Sequence, residues 1–181
     1  MSENSPVIRQ IEPGDRLTGL SLGHENFAPL KAFFQKHAKK YQEQNLARTY
    51  AIFESERPIA YITLVCGEIA IQGKKRLLDE PDLFYNYKSY PALKIARLAV
   101  HKDYRRKDYG TVLVDLAVGT AKEIICPAVG CRFVAVDSKK DALPFYLDYG
   151  FTLLDTPQNR RRSEPVLFID LHKAAKNGTL S

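Results

Sequence analysis

The sequence predicts a single α/β domain in which helices flank a mixed central sheet. Three observations carry that prediction. The spacing of apolar residues alternates between strand and helix periods, reading β-α-β-β-β-α-β-α-β-β along the chain. A length of 181 residues, 45% of them apolar, is enough to bury one sizeable core. No segment repeats and none has linker composition, so the domain spans 1–181, with loose ends at 1–5 and 174–181.

Each element has its own signal. "PVIRQIEP" is a short strand bounded by prolines. From Glu25 to about Gln42, Phe27, Leu30, Phe34, His37/Ala38 and Tyr41 recur at helical spacing, and Lys36, Lys39 and Lys40 fall on the opposite face. "RTYAIFES" and "PIAYITLVCGEIAI" form a hairpin around "SERP", the second run being apolar on both faces like a central strand. Residues 72–90 read as a polar excursion holding a short helix. "ALKIARLAVH" is a strand with Arg97 intruding on its apolar pattern, which calls for a buried salt bridge. A helix opens near Tyr109 and buries Val112, Leu113, Leu116, Ala117, Ala121, Ile124 and Ile125, with Pro127 and Gly130 ending it. "CRFVAVD" is a strand, "DALPFYLDYG" a short helix stopped by Gly150, and "FTLLDT" with "PVLFIDLH" a closing strand pair. Two parallel crossovers make the sheet mixed.

Composition excludes several classes. The formal charge of +6 points to anionic partners such as nucleotides, RNA or an acidic protein. Cys66, Cys126 and Cys131 lack metal-ligand spacing and lie in apolar sequence, and the four histidines are scattered, so no metal site is expected. An odd cysteine count without a secretory segment fits a reducing, cytoplasmic setting. No apolar run reaches membrane-spanning length, so no membrane partner is expected.

The chemistry-bearing stretch is "RLAVHKDYRRKDYG", residues 97–110. A strand that runs into a basic, glycine-containing turn and then a helix outlines an anion site. The first amides of a helix lack intrahelical acceptors, and the helix dipole adds partial positive charge there. Arg105, Arg106 and Lys107 supply attraction, and Gly110 permits close backbone approach. The same residues also fit a solvated basic turn that merely caps a helix.

"ARLAVHKDYRRKDYGTVLVDLAV" resembles the acetyl-CoA-binding motif of the GNAT N-acetyltransferases: a strand, then Gln/Arg-x-x-Gly-x-Gly/Ala, then a helix. Arg105 matches the first position and Gly110 the last, while Asp108 replaces the middle glycine. "FVAVDSKKDALPFYLDYGF" resembles the family's next strand and its helix ending in aromatic-Tyr-x-x-x-Gly-Phe, here Phe145, Tyr146, Gly150 and Phe151. With element order and motif spacing also matching, the resemblance covers about residues 6 to 171. It implies a mostly antiparallel sheet splayed at the cofactor site, with acetyl-CoA as co-substrate. The pantetheine arm would bond the backbone of Leu98, Ala99 and Val100 like an added strand. Amides of about 105 to 111 would cradle the pyrophosphate, so the cofactor set is Leu98, Ala99, Val100, Arg105, Arg106, Lys107, Asp108, Tyr109, Gly110, Thr111 and Phe145. Asp108 departs from the family in a way that weakens cofactor binding without abolishing it, and leaves a degenerate, non-catalytic member as an alternative. Lys139 stands about where the family carries Asn.

The resemblance makes Tyr146 the acid for the departing thiolate; on position alone it equally packs as a core residue. A backbone N–H near 98–100 would polarise the thioester carbonyl. Glu68 and His101 are conceivable general bases, each more readily read as structural. A base is dispensable for an α-amine, which titrates around pH 8. "LKAFFQKHAKKYQEQNLARTYAIFE" resembles a bacterial GNAT subgroup through Leu30, Ala38, Gln42, Arg48, Thr49, Tyr50 and Ala51. That subgroup includes toxins of toxin–antitoxin pairs that acetylate aminoacyl-tRNA. It implies aminoacyl-tRNA as acceptor, an antitoxin as partner and, as in many relatives, a homodimer. Lys36, Lys39, Lys40 and Arg160, Arg161, Arg162 fit an acceptor stem followed through its phosphates. A small amine or protein amine as acceptor, and a non-catalytic RNA- or protein-binding module, remain open alternatives.

Overall fold

The computed structural model describes residues 5–70, 78 and 85–176. Its strands are β1 (Val7–Gln10), β2 (Arg48–Glu54), β3 (Arg57–Ala70), β4 (Ser89–Val100), β5 (Phe133–Asp137), β6 (Thr152–Leu153) and β7 (Val166–Asp170). They form a seven-stranded, mostly antiparallel sheet in the order β1-β2-β3-β4-β5-β7-β6. Helices α1 (Ala28–Lys36), α2 (Ala38–Glu43), α3 (Tyr109–Thr120), α4 (Cys126–Val129), α5 (Leu143–Tyr149), α6 (Pro157–Arg160) and α7 (Leu171–Lys176) flank it. The chain divides into two compact units, Met1–Val65 with Ile95–Thr120, and Cys66–Lys94 with Ala121–Ser181.

In the first unit β1 and β3 pair antiparallel with β2, in registers that set Val7 opposite Phe53 and Arg48 opposite Leu64. The β2–β3 turn places both Ser55 and Glu56 at positive φ, +48° and +66°. That twist matches the strands but costs more without glycine. Tyr61 anchors the core: its ring stacks on Phe34 at 4.4 Å and its hydroxyl donates to the Leu30 carbonyl at 2.8 Å. Around it lie Ile11, Leu17, Leu20, Leu22, Phe33, Ala38, Ala51, Phe53 and Ala99. Sequence spacing predicts one helix over 25–42, but the structure has a 3-10 turn at Glu25–Phe27 and an interruption at His37. His37 N–H still donates to the Phe33 carbonyl and Tyr41 N–H to that of His37, so the path continues with a kink.

Among the described residues no carboxylate pairs with Arg97; its partner there is the ring of Phe33, with the guanidinium 3.7 Å from the centroid. An aromatic face takes a desolvated guanidinium without a second buried charge. Helix α3 buries Leu113, Val114, Ala117 and Val118, while Val112 and Ile124 are exposed, contrary to the periodicity. This helix is apolar nearly all round, so spacing alone does not select its face. A π-turn at Ala121–Ile125 then rotates Ile124 outward. Pro127 sits in the first turn of α4 rather than ending a helix, and Gly130 at φ +79° closes it. The widened π-turn accommodates a residue that lacks an N–H.

In the second unit β5 and β6 both pair antiparallel with β7. Phe133 packs edge-on against Tyr90 and Phe168, and Tyr85 stacks on Tyr90 at 4.8 Å. Arg132 donates to both carboxylate oxygens of Asp170, at 2.7 and 2.9 Å. Most of the polar excursion expected at 72–90 lies outside the described residues, and strand β4 begins within it at Ser89. Residues 171–176 are helical where the sequence reads a loose end from 174.

The connection between β6 and β7 contains an unforeseen latch. Asn159, buried, donates through its amide nitrogen to the carbonyls of Leu154 (2.9 Å) and Val166 (3.0 Å) and accepts from Val166 N–H at 2.8 Å. Removing the amide strands the Val166 N–H, while the Leu154 and Val166 carbonyls keep their backbone donors, Thr156 N–H and Leu154 N–H. Asn159→Ala is expected to destabilise the fold by about 2 kcal/mol, read as a shifted midpoint in urea unfolding.

Candidate active site

The strand β4 ends with Leu98 and Val100 half-buried and Ala99 buried. Its last pairing is continued by His101, whose N–H donates to the Ile59 carbonyl at 2.7 Å. A 3-10 turn at Lys102–Tyr104 follows, then two residues in left-handed backbone, Arg106 at φ +60° and Asp108 at φ +58°. Asp108 offers its carbonyl to Val112 N–H at 3.0 Å and so stands at the N-cap of α3. The amides of Tyr109, Gly110 and Thr111 are therefore the first-turn donors, which have no acceptor within a helix. With the α3 dipole behind them they form a donor set suited to a pyrophosphate.

The side chains around this turn are committed differently from what their charges suggest. Arg105 donates to the Leu22 carbonyl at 2.6 Å and lies 5.2 Å over the Phe27 ring. Lys107 lies 5.0 Å over the ring of Tyr104, whose hydroxyl donates to Glu54. Among the described residues Arg106 is the one of the three cations without a side-chain partner. Asp108 is exposed and is paired with neither Arg105 nor Lys107. Aspartate tolerates left-handed backbone better than most residues, which is how this turn forms without the motif's middle glycine.

His101 is buried, with Nε2 2.8 Å from Nη2 of Arg57. A guanidinium only donates, so Nε2 is the acceptor. Burial first, and then Arg57, lower the His101 pKa below its ordinary value. The imidazole thus stays neutral and braces the turn to β3, with no free lone pair for a substrate amine. Glu68, the other base candidate, is exposed on β3. Cys66 is exposed rather than interior, because β3 alternates outward beyond Val65.

In the second unit Pro144 occupies the first turn of α5, where a missing N–H is harmless. Gly150 at φ +112° ends the helix, and Phe151 N–H donates back to the Tyr146 carbonyl at 2.9 Å. Tyr146 is 5% exposed, with its ring edge-on to Phe145 at 5.0 Å and Phe151 at 5.3 Å. Burial pushes its phenol well above the ordinary range, so it remains protonated. Among the described residues its hydroxyl has no hydrogen-bond partner. A buried phenol left unsatisfied is rare enough to ask for a ligand. Phe145, half-buried, lies on the same helix.

The basic clusters are partly spent. Lys39 donates to the carbonyls of Pro13 and Asp15, Arg160 pairs with Asp155, and Arg162 lies 3.8 Å from Asp137. Lys36, Lys40, Arg106 and Arg161 are exposed. Sequence reasoning missed Glu54, Arg57, Leu22 and Phe27 as supports of the turn. Their contacts cross 44 to 83 residues of sequence, with no local signal to reveal them. Among the described residues no group of three or more His, Cys, Asp or Glu is placed to hold a metal ion. No helix of those residues is long and apolar enough to cross a membrane.

A family model, Acetyltransferase (GNAT) family, matches residues 21–151. The chain belongs to the GNAT acetyltransferase family. A comparison with curated proteins found no match. Solved structures share the fold. AtaT complexed with acetyl-methionyl-tRNAfMet superposes with a TM-score of 0.77 at 20% identity, over 96% of this chain and 99% of that one. A tyrosine-to-phenylalanine mutant of KacT gives 0.75 at 22% identity, over 95% and 98%. The corresponding kind of mutant of the AtaT toxin, bound to the C-terminus of the antitoxin AtaR and acetyl-CoA, gives 0.74 at 19%, over 96% and 98%. As a GNAT acetyltransferase, the protein uses acetyl-CoA as its acetyl donor.

An exposed carboxylate at Asp108, beside the α3 amides, would repel an anion held there. Asp108→Asn keeps a side chain that tolerates positive φ and removes the charge. It is expected to tighten acetyl-CoA binding about fivefold by calorimetry, from a screened repulsion near 1 kcal/mol, and Asp108→Gly is expected to do the same. Weaker binding in both would mean that the carboxylate organises the turn.

Proposed function

We propose that this GNAT enzyme transfers the acetyl group of acetyl-CoA directly to the α-amine of an aminoacyl-tRNA, acting as the toxin of a toxin–antitoxin pair. The observation that carries the acceptor is fold similarity over nearly the whole of both chains to a structure holding acetyl-methionyl-tRNAfMet. The subgroup-like stretch from Leu30 to Ala51 agrees with it. The AtaT neighbour bound to AtaR suggests the corresponding partner here, an antitoxin that covers the toxin.

In this mechanism the amides of about 105–111 hold the pyrophosphate, and the backbone of Leu98, Ala99 and Val100 aligns the pantetheine arm. The neutral α-amine attacks the thioester carbonyl carbon. A β4 amide near 98–100 receives the developing oxyanion, the carbon–sulfur bond breaks, and the Tyr146 phenol gives its proton to the departing thiolate. The amine's extra proton leaves to solvent, and a solvent proton restores the Tyr146 phenol. No dedicated base is required, since an α-amine titrates near pH 8 and an adjacent ester lowers that further. The buried phenol of Tyr146, unpartnered among the described residues, is the feature of this chain that supports its role. That two of the solved neighbours are tyrosine-to-phenylalanine mutants is consistent with a tyrosine of interest in the group.

Tyr146→Phe is expected to lower kcat at least tenfold while acetyl-CoA affinity stays within about twofold, since the phenol acts on the leaving group. Unchanged kcat would remove Tyr146 from the mechanism. The acceptor is tested with purified charged tRNA and acetyl-CoA. Acetyl-aminoacyl-tRNA should form, uncharged tRNA should remain unmodified, and binding should weaken with a log–log salt slope of about −3, as four phosphate-contacting cations require. Acetylation of polyamines or protein amines instead would favour the small-amine or protein-amine reading.

A further inference from the structure

The second unit contains a cavity of about 550 Å³ whose walls include both Cys126 and Cys131. Cys126 opens α4 and Cys131 follows it directly after the Gly130 turn, where Gly130 N–H donates to the Cys126 carbonyl at 3.2 Å. The Cys126 thiol donates to the Cys131 carbonyl at 2.7 Å, and the Cys131 thiol to that of Phe133 at 3.3 Å. Both cysteines are half-exposed. Burial, and then the neighbouring Cys126, push the Cys131 thiol up to about 11, so it rests protonated. Gly130 has open space where a side chain would stand, which leaves the turn room to adjust. Lys122, Glu123, Arg132 and His172 also line the cavity, and Arg132 is already paired with Asp170. The acetyl-transfer reading uses none of these groups.

We propose that Cys126 and Cys131 form a dithiol site that closes to an intramolecular disulfide by exchange with a low-molecular-weight disulfide. The Cys126 thiolate attacks one sulfur of the incoming disulfide; a Cys126–ligand disulfide forms and the first ligand thiolate leaves. Cys131 then attacks the Cys126 sulfur, its proton passing to the second departing thiolate. Two protein thiols are oxidised by two electrons, and one small disulfide is reduced to two thiols. The adjacent thiol makes the adduct short-lived. The closed site ties the end of α4 to the entry of β5.

The test uses the full chain with oxidised glutathione. Because Cys66 is exposed and would add a third reactive thiol, a Cys66→Ser variant is treated, acid-quenched and alkylated, then weighed intact and mapped by peptide. Free thiols should fall from two to none, no glutathione should be retained, and the map should show a Cys126–Cys131 link. With Cys131→Ser added, one glutathione should remain on Cys126. The unsubstituted protein, mapped in the same way, should show the same link and a separate adduct on Cys66. Two surviving free thiols, or a stable glutathione on each cysteine in the Cys66→Ser variant, would overturn the proposal.

Discussion

The candidate site depends on a backbone constraint: the passage from β4 into α3 requires two non-glycine residues, Arg106 and Asp108, in left-handed conformation. Each costs on the order of 1 kcal/mol, and that cost must be met by the surroundings. Three long-range contacts meet it. Arg57 bonds His101, Glu54 accepts from Tyr104, and Leu22 accepts from Arg105. The β2–β3 turn and the segment before α1 thus converge on one short loop. What they hold in place is the start of α3, whose amides are the chain's best anion donors.

This changes the meaning of the basic run in the sequence. Arg105 and Lys107 look like ligands for phosphate, but their heads are engaged with a carbonyl and two aromatic rings. Backbone amides would then be the main contacts for a pyrophosphate, beside Arg106, which is unpaired among the described residues. The helix-strand stretch that resembles the toxin subgroup behaves similarly. The Gln42 side chain donates to the Ile11 carbonyl and accepts from Thr49 N–H, and Arg48 donates to the Gln42 carbonyl at the end of α2. Those residues join α2 to β1 and β2. They mark a way of building the fold, so their match to the subgroup concerns architecture before it concerns acceptor chemistry.

Element order, the β2–β3 hairpin, and the Pro144 start and Gly150 stop of α5 were all legible, because each follows from residues a few positions apart. Periodicity failed where its premise failed. Helix α3 is apolar around most of its circumference, so Val114 and Val118 were missed and Val112 was wrongly turned inward. The π-turn at Ala121–Ile125 then broke the 3.6-residue count. Arg97 was assigned a carboxylate when an aromatic face served, a choice that no strand pattern encodes. Asn159 was invisible for the same reason as Glu54 and Arg57: its value lies in carbonyls brought to it by the fold.

The central claim is acetyl transfer to an amine carried on RNA. It is tested most directly by adding the protein and acetyl-labelled acetyl-CoA to a bacterial lysate, then separating RNA, proteins and small molecules. The account predicts label in the RNA fraction, released by mild alkaline cleavage of the aminoacyl ester. Label in proteins or small amines would contradict the acceptor, and no transfer above a protein-free control would contradict catalysis itself.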